Sequence, residues 1–226
     1  MELYSKSGKL TTFNNLVYLN EGNCAKVYRY NDYLFKIYND DCNYHLKIKK
    51  EIFMILRDLN APSIVKLREY FSYRKFSLSK RPDAYTMDIL PSSKKKLIYC
   101  DKTYLENTFY DLEQTIKLLD KLNIIIDDIH SKNVLFTEQG IYLIDPDLFR
   151  KKTIFDSVSA YRINKAILIA YFNAVLYNEM IKERGLFIHP TIENDINNSF
   201  FDDVMKSLTE DTFYEVMLKK DKTKRL

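Results

Sequence analysis

Short runs of β-branched and aromatic residues alternate with polar turn residues in the first part of the chain. Five of these runs have the length and composition of strands: residues 16–18, 26–30, 33–38, 65–73 and 84–87. Asn31-Asp32 separates the second run from the third, as in a tight hairpin. The pattern predicts three antiparallel strands at the start and two more further along.

Apolar residues at helical spacing predict a helix over residues 44–59, which Asn60-Ala61-Pro62 ends. At about 100° per residue, Glu51 lies on the edge of the apolar stripe. We therefore expect its carboxylate at the margin of the core. Beyond residue 91 the spacing is mostly helical, and the predicted helices are residues 105–122, 161–181 and 200–219.

One predicted hairpin interrupts the helical part. Residues 133–136 and 141–144 are apolar runs joined by the turn Glu138-Gln139-Gly140. The sequence therefore predicts an α+β fold, with an antiparallel sheet and one helix over residues 1–90 and a mostly helical part over residues 91–226. No internal repeat or Pro/Gly/Ser-rich linker cuts the chain into independent domains.

Composition narrows the class of protein. The 226 residues carry 35 Lys+Arg and 31 Asp+Glu, a net charge of +4, which excludes a strongly basic nucleic-acid packer. The 18 tyrosines follow no stacking pattern, so we expect no nucleic-acid partner. Three cysteines without a C-x-x-C pair favour a reducing compartment. We find no secretory signal, and the most apolar stretch, residues 166–177, is too short to span a bilayer.

Acidic and amide side chains bracket the predicted hairpin. Asp128 and Asn133 precede it and Asp145 follows it. Because antiparallel strands return to the same end of their ladder, Asn133 and Asp145 are expected within reach of one ion. Their oxygens suit Mg²⁺, and Asp128 could accept a proton from an incoming hydroxyl. The alternative is a solvated turn rich in Asp and Asn.

A lysine and a glutamate in the first part of the chain complete the set. Lys36 lies in the third strand between Phe35 and Ile37, and Glu51 follows on the helix. A Lys that pairs with Glu can hold the α- and β-phosphates of a nucleotide. Alternation alone does not choose the face of Lys36, so it could instead be an ordinary exposed strand residue.

The ordered set resembles the protein-kinase superfamily: a small-residue turn, a strand Lys, a helix Glu, Asp-x-x-x-x-Asn, a hairpin and an Asp. The resemblance covers residues 16–147. It implies a two-lobed fold, with an N-lobe over residues 1–90 and a shortened, mostly helical C-lobe over residues 91–226. It also implies ATP and Mg²⁺ as cofactors, with the catalytic residues Lys36, Glu51 and Asp128 and the metal ligands Asn133 and Asp145.

The same resemblance implies a set of nucleotide-binding residues. They come from the loop between the first two predicted strands, the sheet, the segment after the fifth strand and the hairpin: Asn20, Gly22, Ala25, Val27, Leu34, Lys36, Met87, Asp88, Leu90 and Leu135. Val27, Leu34 and Leu135 would enclose adenine, and the backbone of residues 88–90 would form hydrogen bonds with the edge of the adenine ring.

The sequence departs from the kinase pattern in three places. Only the middle glycine of the phosphate loop, Gly22, is present, which predicts a looser grip. Ile126-Asp127 stands where protein kinases carry His-Arg, so no obvious clamp exists for a phosphorylated activation loop. The metal motif is Asp145-Pro146-Asp147 and no Ala-Pro-Glu follows. We therefore expect activity that does not depend on phosphorylation of this loop.

These observations favour an ATP- and Mg²⁺-dependent phosphotransferase, with a protein serine/threonine hydroxyl as the preferred acceptor. His130 also resembles the loop histidine of aminoglycoside and choline phosphotransferases, which keeps a small-molecule acceptor open; it could equally make a structural hydrogen bond. A pseudokinase binding module and a nucleotidyl transferase also stay open. We expect a monomer in the cytoplasm of a bacterium, or in the host cytosol if the protein is a delivered effector.

Overall fold

The computed structural model describes residues 1–91, 96, 97 and 100–184, and it has an α+β fold. Its strands are β1 (Glu2–Ser5), β2 (Leu10–Thr12), β3 (Val17–Glu21), β4 (Ala25–Tyr30), β5 (Tyr33–Tyr38), β6 (Leu67–Ser72), β7 (Ala84–Asp88), β8 (Ile124–Ile125), β9 (Val134–Thr137), β10 (Gly140–Leu143) and β11 (Arg150–Lys151). Its helices are α1 (Lys50–Asp58), α2 (Lys102–Lys121) and α3 (Ala160–Arg184). The helix predicted at 200–219 lies outside the described residues.

Seven strands form one antiparallel sheet in the order β2-β1-β6-β7-β5-β4-β3. The five strands predicted from the sequence all lie in it. Asn31 takes a left-handed backbone conformation (φ 52°) in the tight turn between β4 and β5, as expected for an Asn-containing hairpin. The two remaining pairs are β9 with β10, the predicted hairpin, and β8 with β11.

The first hairpin, β1 with β2, was not predicted, because its alternation is short and polar. This hairpin brings Phe13, which directly follows β2, to one face of the sheet, where Phe13 is buried. The Phe13 ring stacks on Phe35 with centroids 4.5 Å apart and meets Phe71 edge-on at 5.0 Å. Together with Leu3, these rings form a small core that closes the outer face of the sheet.

The other face of the sheet packs on the helices. A single cluster of buried residues runs from Ala25 through Tyr38 and Phe53 to Leu112 and Phe172, so both parts of the chain share one core. Helix α2 contributes a continuous apolar face at i, i+4, i+7 spacing, made by Leu105, Phe109, Leu112, Ile116 and Leu119. The Asp101 carboxylate caps its first turn by accepting from the Tyr104 N–H at 2.8 Å.

The predicted hairpin is attached to the chain segment that precedes β6. The Leu143 N–H donates to the Ser63 carbonyl at 2.9 Å, and the Val65 N–H donates to the Leu143 carbonyl at 3.1 Å. The Thr115 hydroxyl of α2 accepts from the Ser63 N–H at 3.0 Å. These bonds place the chain that follows β10 directly below the sheet. No helix within the described residues is long and apolar enough to cross a membrane.

Candidate functional site

Lys36 lies on the inner face of the sheet, which answers the question that strand alternation left open. Directly paired residues of adjacent strands share a face, and Lys36 pairs with Val27 on β4 and with Tyr85 on β7. Tyr85 is fully buried in the main core, and Lys36 itself is only 7% exposed. A buried ammonium requires charged partners, because desolvation alone disfavours its charge.

Those partners come from the turn after β10. The Lys36 Nζ lies 2.7 Å from both carboxylate oxygens of Asp145 and 2.8 Å from the Asp147 Oδ2. Burial lowers the Lys36 pKa, but the Asp147 and Asp145 carboxylates outweigh it and raise the pKa above its ordinary value. Lys36 and Asp145, predicted to act at one site, are therefore in direct contact although they lie far apart in sequence.

Asp147 is a site residue that the sequence analysis missed. Its carboxylate is 9% exposed, and its Oδ1 accepts from the Tyr38 hydroxyl at 2.7 Å and the Tyr85 hydroxyl at 3.0 Å. The Ile48 N–H in turn donates to the Tyr38 hydroxyl at 3.0 Å. Burial raises the Asp147 pKa to about 6, and the opposing attraction of Lys36 limits the rise. The second acid of Asp145-Pro146-Asp147 was the available signal.

The expected Lys36–Glu51 pair is not formed. Glu51 is exposed on α1, and the prediction that it faces the margin of the core is wrong. The reason is Phe53, which is buried beside Ile52 and Leu56. Including Phe53 turns the centre of the buried stripe so that Glu51 points about 145° away from it, at roughly 100° per residue. Lys36 pairs with Asp145 and Asp147 instead of with Glu51.

Asp128 and Asn133 meet on the loop that enters the hairpin. The Asn133 Nδ2 donates to the Asp128 carbonyl at 2.9 Å and to its Oδ2 at 3.3 Å. Asp128 has a left-handed backbone (φ 61°), which costs about 1–2 kcal/mol for a residue with a Cβ. The two bonds from Asn133 offset that cost and orient a carboxylate that stays 47% exposed. An exposed, oriented carboxylate is suited to accept a proton from a bound hydroxyl.

His130 makes a structural bond and also approaches Asp128. Its Nδ1 accepts from the Lys132 N–H at 3.2 Å, which shapes the loop. Its Nε2 lies 3.5 Å from the Asp128 Oδ2. The structural role left open by the sequence is therefore present, beside the candidate base.

The backbone before Asp128 is fixed by a residue that sequence reasoning also missed. Asn164 on α3 is completely buried; its Oδ1 accepts from the Ile126 N–H at 2.8 Å and its Nδ2 donates to the Ile124 carbonyl at 2.9 Å. The sequence signal for this role is weak, because Asn164 stands between Ile163 and Lys165 and before the apolar stretch of residues 166–177. Next along the chain, the Asp127 carboxylate accepts from the Arg150 Nε at 2.7 Å.

The predicted metal ligands are neighbours through the backbone. The Ile144 N–H donates to the Asn133 carbonyl at 2.9 Å, so Asp145 follows directly on a residue bonded to Asn133. Because the Asn133 Nδ2 faces Asp128, its amide oxygen faces away from Asp128. Lys36, Asp145 and Asp147 carry a formal net charge of −1, which favours a cation. The Asn133 amide oxygen and the Asp145 carboxylate are oxygen donors that fit Mg²⁺, which keeps few protein ligands.

A site made of Asn133 and Asp145 contains only one acidic ligand. Within the described residues, no three His, Cys, Asp or Glu side chains are grouped so that they could hold a metal ion by themselves. The remaining ligands of a bound Mg²⁺ would therefore have to be phosphate oxygens and water, as is usual for this ion.

The loop between β3 and β4 is a short exposed hairpin. The Gly22 N–H donates to the Ala25 carbonyl at 2.9 Å, and the Asn20 Oδ1 accepts from the Glu21 N–H at 2.8 Å. The Gly22 N–H is thus used within the hairpin. A Cβ at Gly22 would meet only the Ala25 carbonyl oxygen, at 3.9 Å, so the turn does not itself require glycine. The looser phosphate grip expected from the sequence stays a prediction.

The apolar residues predicted to enclose adenine are brought together only in part. Val27 shares the face of Lys36, and Leu34 pairs with Met87 on β7. Leu135 is half-buried on β9. The Asp88 N–H already donates to the Lys66 carbonyl at 2.9 Å, and its carboxylate bonds Arg68. In the predicted segment 88–90, only the backbone of Ile89 and Leu90 is therefore left to hydrogen-bond the edge of adenine.

No protein-family model matches this sequence, and no curated protein matches it either. The interpretation of the site therefore depends on its geometry and on the residues themselves.

Proposed function

We propose that this protein is an ATP- and Mg²⁺-dependent phosphotransferase of the protein-kinase-like type, with its two lobes divided near residue 90. The observation that carries the proposal is the buried Lys36, bonded to Asp145 from a segment more than a hundred residues away. A buried lysine held against one acid, together with an exposed, oriented acid at Asp128, supplies the positioning and the neutralisation of charge that phosphoryl transfer requires.

Each residue has a distinct role in the proposed reaction. Lys36 holds the α- and β-phosphates, and Asp147 keeps its ammonium group in place. Asn133 and Asp145 would hold Mg²⁺, which when bound neutralises charge on the phosphates. Asp128 accepts the proton of the acceptor hydroxyl as that oxygen bonds to the γ-phosphorus. The bond between the γ-phosphorus and the bridging oxygen breaks, and ADP leaves.

A protein hydroxyl is the favoured acceptor. Asp128 is half-exposed, and the segment after the Asp145–Asp147 turn presents two almost fully exposed apolar side chains, Ile154 at 93% and Phe155 at 88%. Exposed apolar side chains on this segment suit contacts with a polypeptide. A small-molecule acceptor is the alternative.

The second candidate function is a pseudokinase module that binds nucleotide without transfer. Two observations favour it. Both oxygens of Asp145 are bonded to Lys36 at 2.7 Å, so a metal ion must compete for them. The Gly22 N–H is likewise already bonded within its hairpin.

Transfer of ³²P from [γ-³²P]ATP, to the protein itself and to a mixed protein substrate, tests the proposal. We expect Lys36→Met and Asp145→Ala to lower turnover by at least about 100-fold, as for the loss of a key electrostatic contact. Lys117→Met is the matched control, since it removes the same charge at a half-exposed site on α2. If Lys36→Met and Asp145→Ala turn over as fast as the control Lys117→Met, the assignment is rejected.

Thermal unfolding with ATP tests nucleotide binding, and the transfer of label separates the two candidates. An active enzyme and a pseudokinase are both stabilised by ATP, but only the enzyme transfers label. Lys36→Met removes the cation that faces two acids in a buried cluster. Lys36→Arg keeps this positive charge and is therefore measured beside it. The mass of a labelled product distinguishes phosphoryl from nucleotidyl transfer.

A further inference from the structure

Arg150, the first residue of β11, bonds two acids on different segments. Its Nε donates to the Asp127 Oδ2 at 2.7 Å. Its Nη1 and Nη2 donate to the two oxygens of Asp156 at 2.8 and 2.9 Å. The second contact is the bidentate fork that gives arginine–carboxylate pairs both strength and orientation. The Asp156 side chain is 14% exposed and the Arg150 side chain is 35% exposed, so this pair is partly shielded from water.

The two acids belong to the parts of the chain that Arg150 joins. Asp127 immediately precedes the candidate base, Asp128. Asp156 closes a turn by accepting from both the N–H and the hydroxyl of Thr153, at 2.6 and 2.9 Å. Arg150 thus links the loop of residues 127–133, called the catalytic loop below, to the segment that carries the exposed Ile154 and Phe155.

Backbone bonds hold the same two segments together. Strands β11 and β8 pair with Arg150 opposite Ile125. The Lys152 N–H donates to the Asn123 carbonyl at 2.7 Å, and the Lys151 Nζ donates to the Leu122 carbonyl at 2.8 Å. Arg150 therefore lies in the middle of a contact that continues along both segments.

We propose that Arg150 is a positioning residue that fixes the acceptor-side segment, residues 150–156, against the catalytic loop without any phosphorylation. The inference rests on the proposed function. The charges are reversed relative to the kinase pattern, in which an arginine precedes the base: here the acid Asp127 precedes Asp128 and the arginine lies on the segment. Because a guanidinium stays charged at every physiological pH, Arg150 keeps its charge for this contact without a change in pH.

The reversed polarity sets the direction in which phosphorylation acts. Arg150, Asp127 and Asp156 already carry a formal charge of −1 together. A phosphate on Thr153 adds about −1.5 to −2 and replaces the hydroxyl that donates to Asp156. Like-charge repulsion then opposes the Arg150–Asp156 fork. Phosphorylation of Thr153 therefore loosens the segment and lowers activity, instead of raising it.

Hydrogen exchange of the Lys152 and Thr153 amides, measured by mass spectrometry, tests the contact without reference to activity. We expect Arg150→Gln to speed their exchange by about tenfold or more, as for the local opening of a bonded segment. Arg150→Lys keeps the charge but loses the fork, so its exchange should be intermediate. Arg57→Gln, which removes an exposed ion pair on α1, is the control and should leave these amides unchanged.

Kinetics and ATP binding separate a positioning role from a general structural one. Arg150→Gln should raise the KM for a protein acceptor and lower kcat, while the thermal shift caused by ATP stays as in the wild type. Thr153→Glu should speed exchange and reduce acceptor turnover, whereas Thr153→Val, which removes only the hydroxyl, should change both much less.

The outcomes are distinct. Wild-type exchange in Arg150→Gln, or faster acceptor turnover in Thr153→Glu, overturns the inference. If the wild type transfers no phosphate, the proposed function fails, and the exchange rates still decide whether Arg150 holds the segment. A variant that loses its ATP thermal shift together with its activity would mean that Arg150 supports the whole fold, and would also overturn the positioning role.

Discussion

The partner of Lys36 can be identified by two double-mutant cycles. The first combines Lys36→Met with Asp147→Asn, and the second combines Lys36→Met with Glu51→Gln. Asparagine is the matched replacement, because it keeps the volume of Asp147 and its Oδ1 can still accept from the Tyr38 and Tyr85 hydroxyls. The charge facing Lys36 is lost, and the Asn Nδ2, a donor, replaces the Oδ2 that accepts from the Lys36 ammonium group.

The distances set the expected coupling. Two unit charges 2.8 Å apart, as in the Lys36–Asp147 pair, attract by about 6 kcal/mol at an effective dielectric constant of about 20. Asp145 stays bonded to Lys36 and side chains relax, so we expect a coupling of about 2 kcal/mol, within the range for residues in contact. Glu51 is exposed and has no contact with Lys36, and its coupling should stay below about 0.5 kcal/mol.

The single variants differ in a way that makes the cycle necessary. Lys36→Met leaves two carboxylates facing each other without a cation and should cost about 3–5 kcal/mol. Asp147→Asn also removes a charge whose burial is unfavourable, as the pKa raised to about 6 indicates. The effect of Asp147→Asn on the free energy of unfolding is therefore a small difference between two large contributions. Only the coupling energy isolates the Lys36–Asp147 contact.

Urea unfolding at pH 7.5 provides the free energies, followed by far-UV circular dichroism because the chain has no Trp to report by fluorescence. Coupling with Glu51 as large as that with Asp147 would refute the reasoning. The pH dependence is a second check. Because the Asp147 pKa is about 6, above the roughly 3.9 of an unfolded chain, ionising Asp147 lowers total stability as the pH rises through this window, while its coupling to Lys36 develops over the same rise.

Three further predictions concern the frame around the site. Asn164→Ala should cost about 3 kcal/mol in urea unfolding, since it leaves the Ile126 N–H and a carbonyl buried without partners; a cost below about 1 kcal/mol would contradict this. Phe13→Ala should cost about 3–5 kcal/mol through loss of its buried ring stack, and unchanged stability would mean that the first hairpin is dispensable. Burial, then the neighbouring Cys24 thiol, raises the Cys42 pKa to about 12, so iodoacetamide at pH 8.5 should spare Cys42 in the native protein and label it after unfolding; peptide mass mapping that finds native Cys42 fully labelled would refute it.

Elements with a strong period were predictable from the sequence. Strands β3, β4 and β5 follow from runs of β-branched and aromatic residues, and α2 follows from its apolar spacing. The hairpin of β9 and β10 also lies where its two runs and the intervening glycine indicated. In each case the local pattern and the tertiary packing favour the same structure, which is why local reasoning succeeded.

Elements whose existence depends on distant pairing could not be predicted. The strands β8 and β11 are two residues long and are defined only by bonds to each other. The first hairpin has little alternation of its own, and Phe13 becomes a core residue only because Phe35 and Phe71 present their rings to it. A lone aromatic residue after a polar segment does not carry that information.

The partner of Lys36 shows the same limit at the site. The sequence offered two acids at the correct places, Glu51 on a helix and Asp147 after a hairpin, and the family resemblance favoured the helix. The choice depends on the rotation of α1, which Phe53 sets by entering the core beside two other apolar residues. Once α1 turns Glu51 to solvent, a buried ammonium must find its countercharge elsewhere, and Asp147, with two tyrosine hydroxyls already directed at it, provides that charge from the same turn as Asp145. A site arranged in this way ties the position of Lys36 to the Asp145–Asp147 turn instead of to α1, so a rotation of α1 should leave the contacts of Lys36 with Asp145 and Asp147 in place.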